Sequence, residues 1–165
     1  RQDASILDIV AFAEETGASY AEGYEHTGYF NSKYIPRGGE SGAQIELNYL
    51  TNYRAIRYAD VLLMAAEANN MIGNDNDAQD YLNEVRRRAF GDEDHDITST
   101  GTSLRQAILT ERTFELSMEG HRFFDLVRTG NAAGTIPGFV AGKHELFPIP
   151  QQEIDISELA QNPGY

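Results

Sequence analysis

Residues 54–90 read RAIRYADVLLMAAEANNMIGNDNDAQDYLNEVRRRAF, and their spacing decides the fold class. In the first half, Ile56, Ala59, Val61, Leu62, Leu63, Ala65, Ala66 and Ala68 make a wide apolar face. Arg54, Arg57, Asp60 and Glu67 fall on a narrow polar stripe. In the second half, Ala78, Leu82, Val85 and Ala89 repeat at i, i+4, i+7 and i+11, a single helical stripe. Gly73 suits the end of the first helix because glycine takes the left-handed conformation at little cost. Asn76 with Gln79 three residues on resembles a capping box for the second. Arg86, Arg87 and Arg88 crowd its last turn, where positive charge suits the helix dipole, and Gly91 ends it. The pattern predicts an antiparallel helical hairpin of about one tetratricopeptide unit, with small residues at Ala66 and Ala78 permitting close contact. No second copy follows at a fixed period, so the hairpin needs partners from elsewhere.

Outward from the hairpin, the sequence predicts a mostly α fold. Residues 1–53 form a loop and short-strand region, 54–90 the hairpin, 103–130 a third helix and 131–165 an irregular tail. Within Ser5–Glu15, Ile6, Ile9, Val10 and Ala13 lie at helical spacing, with Ser5 and Asp8 as a capping pair; the same β-branched run also suits a strand. TGYFNSKYI, residues 27–35, reads as a short strand closed by Pro36 and a Gly38–Gly39 turn. The polar run after Gly91 is a loop, and Ser103 with Gln106 resembles a capping box for the third helix. Gly120 kinks or interrupts that helix before HRFFDLVRTG continues it. Pro148 and Pro150 forbid a helix through LFPIP, and Pro163–Gly164 makes a final turn.

The chain of 165 residues carries 26 acidic and 13 basic side chains and a formal charge of −13. That balance excludes nucleic acid as a natural partner, because phosphate backbones are bound by clustered Lys and Arg. With no cysteine, disulfides, thiol nucleophiles and cysteine-based metal sites are impossible within the chain. No apolar run approaches the ~20 residues that span a bilayer. The chain does not open on Met and reads as a fragment, which would place any targeting signal upstream.

The densest charged constellation is ERTFELSMEGHRFFDL, residues 111–126. Arg112–Glu115, Glu119–Arg122 and Arg122–Asp125 are i,i+3 pairs. A glycosidase would use two such carboxylates about a scissile bond. An arginine within one turn of each acid instead holds it ionised, the opposite of what a general acid needs. These residues therefore read as a structural ion-pair network. His144–Glu145 opens like H-E-x-x-H, but Pro148 stands where the second His belongs. NDNDAQD, residues 74–80, lacks the Gly and the final Glu of a calcium loop and reads as a capped turn. Asp92, Glu93, Asp94, His95 and Asp96 read as a solvated loop, and His26 and His121 as isolated. No metal site and no cofactor is predicted. The aromatic set is different in kind. Tyr29, Phe30 and Tyr34 fit the core side of a strand, whereas Tyr20 and Tyr24, on a Gly-rich stretch, are the candidate ligand-binding residues, able to stack on sugar rings.

TGYFNSKYIP, YRAIRYADVLLMAAEANNMIG, LNEVRRRAF, LRQAILTERTFELSMEGHRFFDLVRTG and GKHELFPIPQQEIDISELAQNPGY, taken in this order, resemble the C-terminal part of the SusD/RagB family. The resemblance covers nearly all the chain from Thr27 onward. It implies a tetratricopeptide-like helical scaffold with loops and short strands. It also implies a lipid-anchored protein of the outer membrane and cell surface in Bacteroidetes-type bacteria. Such a protein captures glycans or other nutrients without enzymatic chemistry and delivers them to a SusC-like TonB-dependent transporter. The anchoring cysteine and further helical pairs would lie upstream. Arg57, Asp60, Glu67, Glu111, Arg112, Glu115, Glu119, Arg122 and Asp125 carry over as scaffold. The rival readings are a tetratricopeptide-like protein-interaction adaptor and, behind it, a glycoside hydrolase.

Overall fold

The computed structural model describes residues 2–35 and 53–165. The turn expected at Pro36 and Gly38–Gly39 lies outside the described residues. Two compact units result, Arg1–Gly120 and His121–Tyr165.

In chain order the first unit contains α1 (Gln2–Ser5), β1 (Ile6–Asp8), α2 (Ile9–Thr16), β2 (Tyr29–Asn31), α3 (Tyr58–Met71), α4 (Asp75–Phe90) and α5 (Gly101–Glu115). The architecture is mostly α: a tetratricopeptide-like hairpin, a further long helix and a small two-stranded sheet. Its core is the seam between α3, α4 and α5. Ala59, Leu62, Leu63 and Ala66 meet Ala78, Leu82 and Val85, and Leu104 with Ile108 closes the third side. Leu63, Leu82, Leu104 and Ile108 are fully buried, each stabilising the fold by roughly 1.5–3 kcal/mol. Ala66 and Ala78 are also fully buried, and their small side chains let α3 and α4 approach. The apolar face of α3 is narrower than its sequence predicts. Val61 and Ala68 are exposed, and Ile56, also exposed, precedes the helix.

Polar side chains fix the connections. Asn70 Nδ2 donates to Asp75 and to the Gly101 carbonyl, while Asp75 accepts from the Gly101 amide at 2.7 Å. Both oxygens of Asp75 are thus engaged by protein donors, tying the hairpin turn to the start of α5. Buried Asn83 exchanges hydrogen bonds of 2.9 and 2.8 Å with the Ile97 carbonyl and amide, and Gln79 donates to the Ser99 carbonyl. These bonds strap the polar loop after Gly91 along α4, mimicking a strand partner for a segment that has none.

Several boundaries differ from expectation. The hairpin begins at Tyr58 rather than residue 54, since Arg57 is extended and stands at the N-cap. α4 starts at Asp75 with Asn74 before it, so Asn76 and Gln79 form no capping box. α5 starts at Gly101 after Thr100, and Gln106 reaches forward to Thr110 instead of back to Ser103. The stretch 103–130 is not one helix: α5 ends at Glu115, and beyond it Met118 (φ 66°) and Gly120 (φ 84°) take left-handed conformations, Gly120 at the interruption expected there. Residues 1–53, expected as loops and short strands, also hold helix α2. There Asp8 alone is the cap, its Oδ1 accepting from the Val10 and Ala11 amides. Ser5–Glu15 is therefore strand first and helix after, and the strand pairs Leu7 with Phe30 in an antiparallel register.

The second unit contains α6 (Arg122–Arg128), α7 (Ala132–Thr135) and α8 (Gln151–Ser157), so the tail is more helical than expected. Phe123 gathers Phe139 and Phe147, with ring centroids 6.4 and 5.9 Å away. Pro148 and Pro150 carry no N–H, which leaves Ile149 as the donor between them. Gln161 takes its amide and carbonyl together, at 2.8 and 2.9 Å, and Asn162 and Tyr165 bond the Phe147 and Leu146 carbonyls. The terminal QNPGY is thereby laid along LFPIP.

Candidate functional site

The buried charges of the first unit join elements far apart in sequence. Asp60 on α3 and Arg112 on α5 pair at 2.7 Å, both nearly inaccessible. Arg86 on α4 donates to Glu111 at 2.7 Å. Glu115 binds Arg57 at 2.9 Å and also Arg88, rather than the Arg112 one turn away. Glu119 receives Arg57 Nε at 2.6 Å and Lys33 Nζ at 2.5 Å. The local i,i+3 pairs expected of Glu115 and Glu119 are therefore replaced by long-range ones. Interhelical partners compete better here because the acids lie at buried junctions, where an unpaired charge is costly. In the second unit, Asp125 is held by Arg128 at 2.7 Å.

These contacts also position the aromatic lobe. Lys33 Nζ and Arg57 Nη2 both donate to the Glu115 carbonyl at 2.8 Å, placing positive charge at the C-terminal end of α5, where the helix dipole favours it. Asn31 Nδ2 donates to the Met118 carbonyl at 2.9 Å. A lone two-stranded hairpin is marginal in water; here the end of α5 grips it. Burial pushes the Glu119 carboxyl up, but hydrogen bonds from Arg57 and Lys33 outweigh that and hold it below the usual range. Burial and the neighbouring Glu119 charge push the Tyr34 hydroxyl above its ordinary value, so it stays protonated.

Lys33, Tyr34, Arg54, Arg57, Arg88 and Phe114 line a cavity of about 250 Å³ over Glu115 and Glu119. Tyr34 stacks on Tyr53 with centroids 5.5 Å apart, and the Arg54 guanidinium lies 5.9 Å from the Tyr34 ring. In the sequence Arg57 and the two glutamates read as scaffold, with no role for Lys33 and no cavity. The available signal was Lys33 itself, the first basic residue after Arg1, set within an aromatic strand.

The two predicted ligand residues are not brought together. Tyr20 is half-buried in a ring cluster with His26 and Phe30, at centroid distances of 5.3 and 6.1 Å. Tyr24 stands 97% exposed in the same loop. Tyr29, expected on the core side of the strand, is instead 54% exposed. Beside it Phe12 and Glu15 border a shallow groove.

The fold defines a tetratricopeptide-like scaffold that grips a small, aromatic-rich lobe. The family model described as the SusD family matches residues 9–140, and the chain belongs to that family. It is 33% identical over 141 residues to SusD-like protein P25 of Formosa agariphila, covering 72% of this chain and 26% of that protein. Among solved structures it resembles a laminarin binding SusD-like protein at 45% identity and TM-score 0.82, covering 99% of this chain and 34% of that one. It also resembles surface glycan-binding protein A from Bacteroides thetaiotaomicron in complex with laminarihexaose. There the identity is 32% and the TM-score 0.80, over 98% of this chain and 37% of that one. The chain thus spans between about a quarter and 37% of the length of these relatives.

Proposed function

We propose that the protein to which this chain belongs captures glycans at the bacterial cell surface, without breaking them, and delivers them to a TonB-dependent outer-membrane transporter. The observation that carries this reading is the likeness, over almost the whole chain, to a structure solved with a bound oligosaccharide. The lipid anchor and transporter contact belong to the same proposal by family. In the described part, the charged helices serve as frame and the aromatic lobe is the part offered to ligand. Tyr24 is proposed as a stacking contact: its ring is free on nearly all sides, the geometry that a sugar's apolar face needs. Tyr20 is proposed to act behind it, setting the loop through His26 and Phe30.

The non-enzymatic part of the reading is supported by the acids themselves. Glycoside hydrolysis needs one carboxyl with a raised pKa to protonate the leaving oxygen. Glu119 is shifted the other way, and Glu115 is occupied by two arginines. Native affinity electrophoresis of the full-length protein in gels containing laminarin and other polysaccharides tests the proposal. Retardation by at least one glycan, with no release of reducing sugar, is the expected result. Unretarded migration throughout the panel together with binding to unfolded peptides would favour an adaptor, and sugar release would favour a hydrolase.

A further inference from the structure

The cavity at the end of α5 is out of keeping with the chain around it. The chain carries a formal charge of −13. Yet the described lining of this cavity sets four cations, Lys33, Arg54, Arg57 and Arg88, against two carboxylates, Glu115 and Glu119. Lys33 and Arg57 are committed to those glutamates. The lining is therefore two positive charges in excess: Arg54 meets no carboxylate among the described residues, and Arg88 shares Glu115 with Arg57. Arg54 donates only its Nη2, to the Lys33 carbonyl. Arg88 donates only its Nη2, to Glu115, and its side chain is 60% exposed. Nε and Nη1 of both guanidiniums have no partner among the described residues.

A guanidinium with one edge fixed and the other open is preorganised for a planar or tetrahedral oxyanion, which it meets with two parallel N–H bonds. The Tyr34 hydroxyl on the same wall stays protonated and can donate to a third oxygen or a neighbouring hydroxyl. A volume of about 250 Å³ is under the ~300 Å³ where pockets for drug-sized molecules begin, a size for one sugar unit and not for a folded partner.

We propose that this cavity is a subsite for an acidic sugar residue, its carboxylate or sulfate held between Arg54 and Arg88. The inference rests on the glycan-capture reading and specifies the ligand's chemistry: a polysaccharide bearing uronate or sulfate ester groups. Sequence-wide acidity does not oppose this. Within ~8–10 Å, the screening distance at physiological salt, the local excess of positive charge is what such a group meets.

The test uses the full-length protein and its Arg54→Gln/Arg88→Gln variant in affinity gels and titration calorimetry. The probes are polygalacturonate, sulfated dextran and laminarin. Binding of at least one acidic polymer is expected, weakened roughly tenfold to a hundredfold in the variant and weakened again by added salt. Arg54→Lys/Arg88→Lys should bind at an intermediate level, because charge is kept and the fork is lost. Polygalacturonate against sulfated dextran decides between carboxylate and sulfate. Laminarin binding with no acidic polymer bound would overturn the subsite while leaving glycan capture standing. No binding to any glycan by either protein would overturn the capture reading as well. Equal binding of polyglutamate would assign the cavity to acidic peptide and reject the sugar. Acidic-polymer binding left unchanged in the glutamine variant would also reject it, whatever the melting temperature, because Arg88 pairs with the buried Glu115 as well.

Discussion

The helical seam and the aromatic lobe of the first unit are built on opposite economies of burial. In the α3–α4–α5 seam, large aliphatic side chains are fully enclosed and even Asp60, Arg112 and Glu111 are almost inaccessible. In the lobe, two three-residue strands and the short helices α1 and α2 leave Tyr24, Tyr29, Val10 and Phe12 substantially exposed. A seam of that kind supports itself; a lobe of this kind does not, and it is held by Lys33 and Asn31 against the end of α5 and the turn that follows it. The difference teaches that the ion network serves as the joint between a rigid frame and a surface whose rings face outward.

The sharpest way to break this contrast is at the Asp60–Arg112 pair. Asp60→Ala leaves a buried guanidinium without this partner and should cost about 3–5 kcal/mol in denaturant unfolding. A loss below ~1 kcal/mol, the range of exposed pairs, would show that the pair is not enclosed. Leu82→Ala, in the middle of the seam, should cost about 2–5 kcal/mol. Phe12→Ala in the lobe should stay within about 0.5 kcal/mol of wild type. Equal effects at the two sites would erase the distinction.

Glu119→Gln probes the joint. It removes charge from hydrogen bonds to Arg57 and Lys33 and should cost about 1.5–3 kcal/mol at neutral pH. Because the folded-state pKa of Glu119 lies below its unfolded value, its stabilisation is fully present above an unfolded pKa of about 4.3. It is lost as pH falls through the depressed folded value. The stability gap between wild type and variant should therefore begin to narrow below about pH 4.3 and keep narrowing as pH falls toward the depressed folded value. A gap that persists unchanged at pH 3 would mean that Glu119 acts through packing and not through charge.

The smallest stability effect is expected at Tyr24→Ala, within about 0.5 kcal/mol, because that ring touches almost nothing. Retardation of the full-length protein in the glycan gel should nevertheless diminish. Unchanged retardation would move the ligand surface away from this loop, and a marked drop in melting temperature would make Tyr24 part of the frame.

The hairpin was legible because Leu62, Ala66, Leu82 and Val85 repeat with the helix period, and a periodicity of that kind has one solution. The turn residues were legible too, with Gly73 (φ 81°) and Gly91 (φ 86°) where left-handed backbone is needed. Helix starts were less so. Asn76 and Ser103 satisfy a local capping pattern, yet Asn70, Asp75 and Gly101 form a tertiary network that moves each start upstream. Tyr24, whose ligand role is a proposal, was visible as an aromatic residue on a Gly-rich loop, whereas the cavity was not visible at all. Its walls come from residues 33, 34, 54, 57, 88 and 114, and their sequence spacing carries no period.

By itself the sequence determined that this chain is a helical scaffold with its acids set close to arginines. Apolar periodicity and the nearness of arginine to every acid in residues 111–126 are local properties, readable along the chain. Only the tertiary structure decided which arginine each acid takes, and that Arg54 and Arg88 share an open cavity. The reason is physical: a helix sets neighbours at three and four residues, but burial selects partners by which helices pack, and packing joins positions that are distant in sequence.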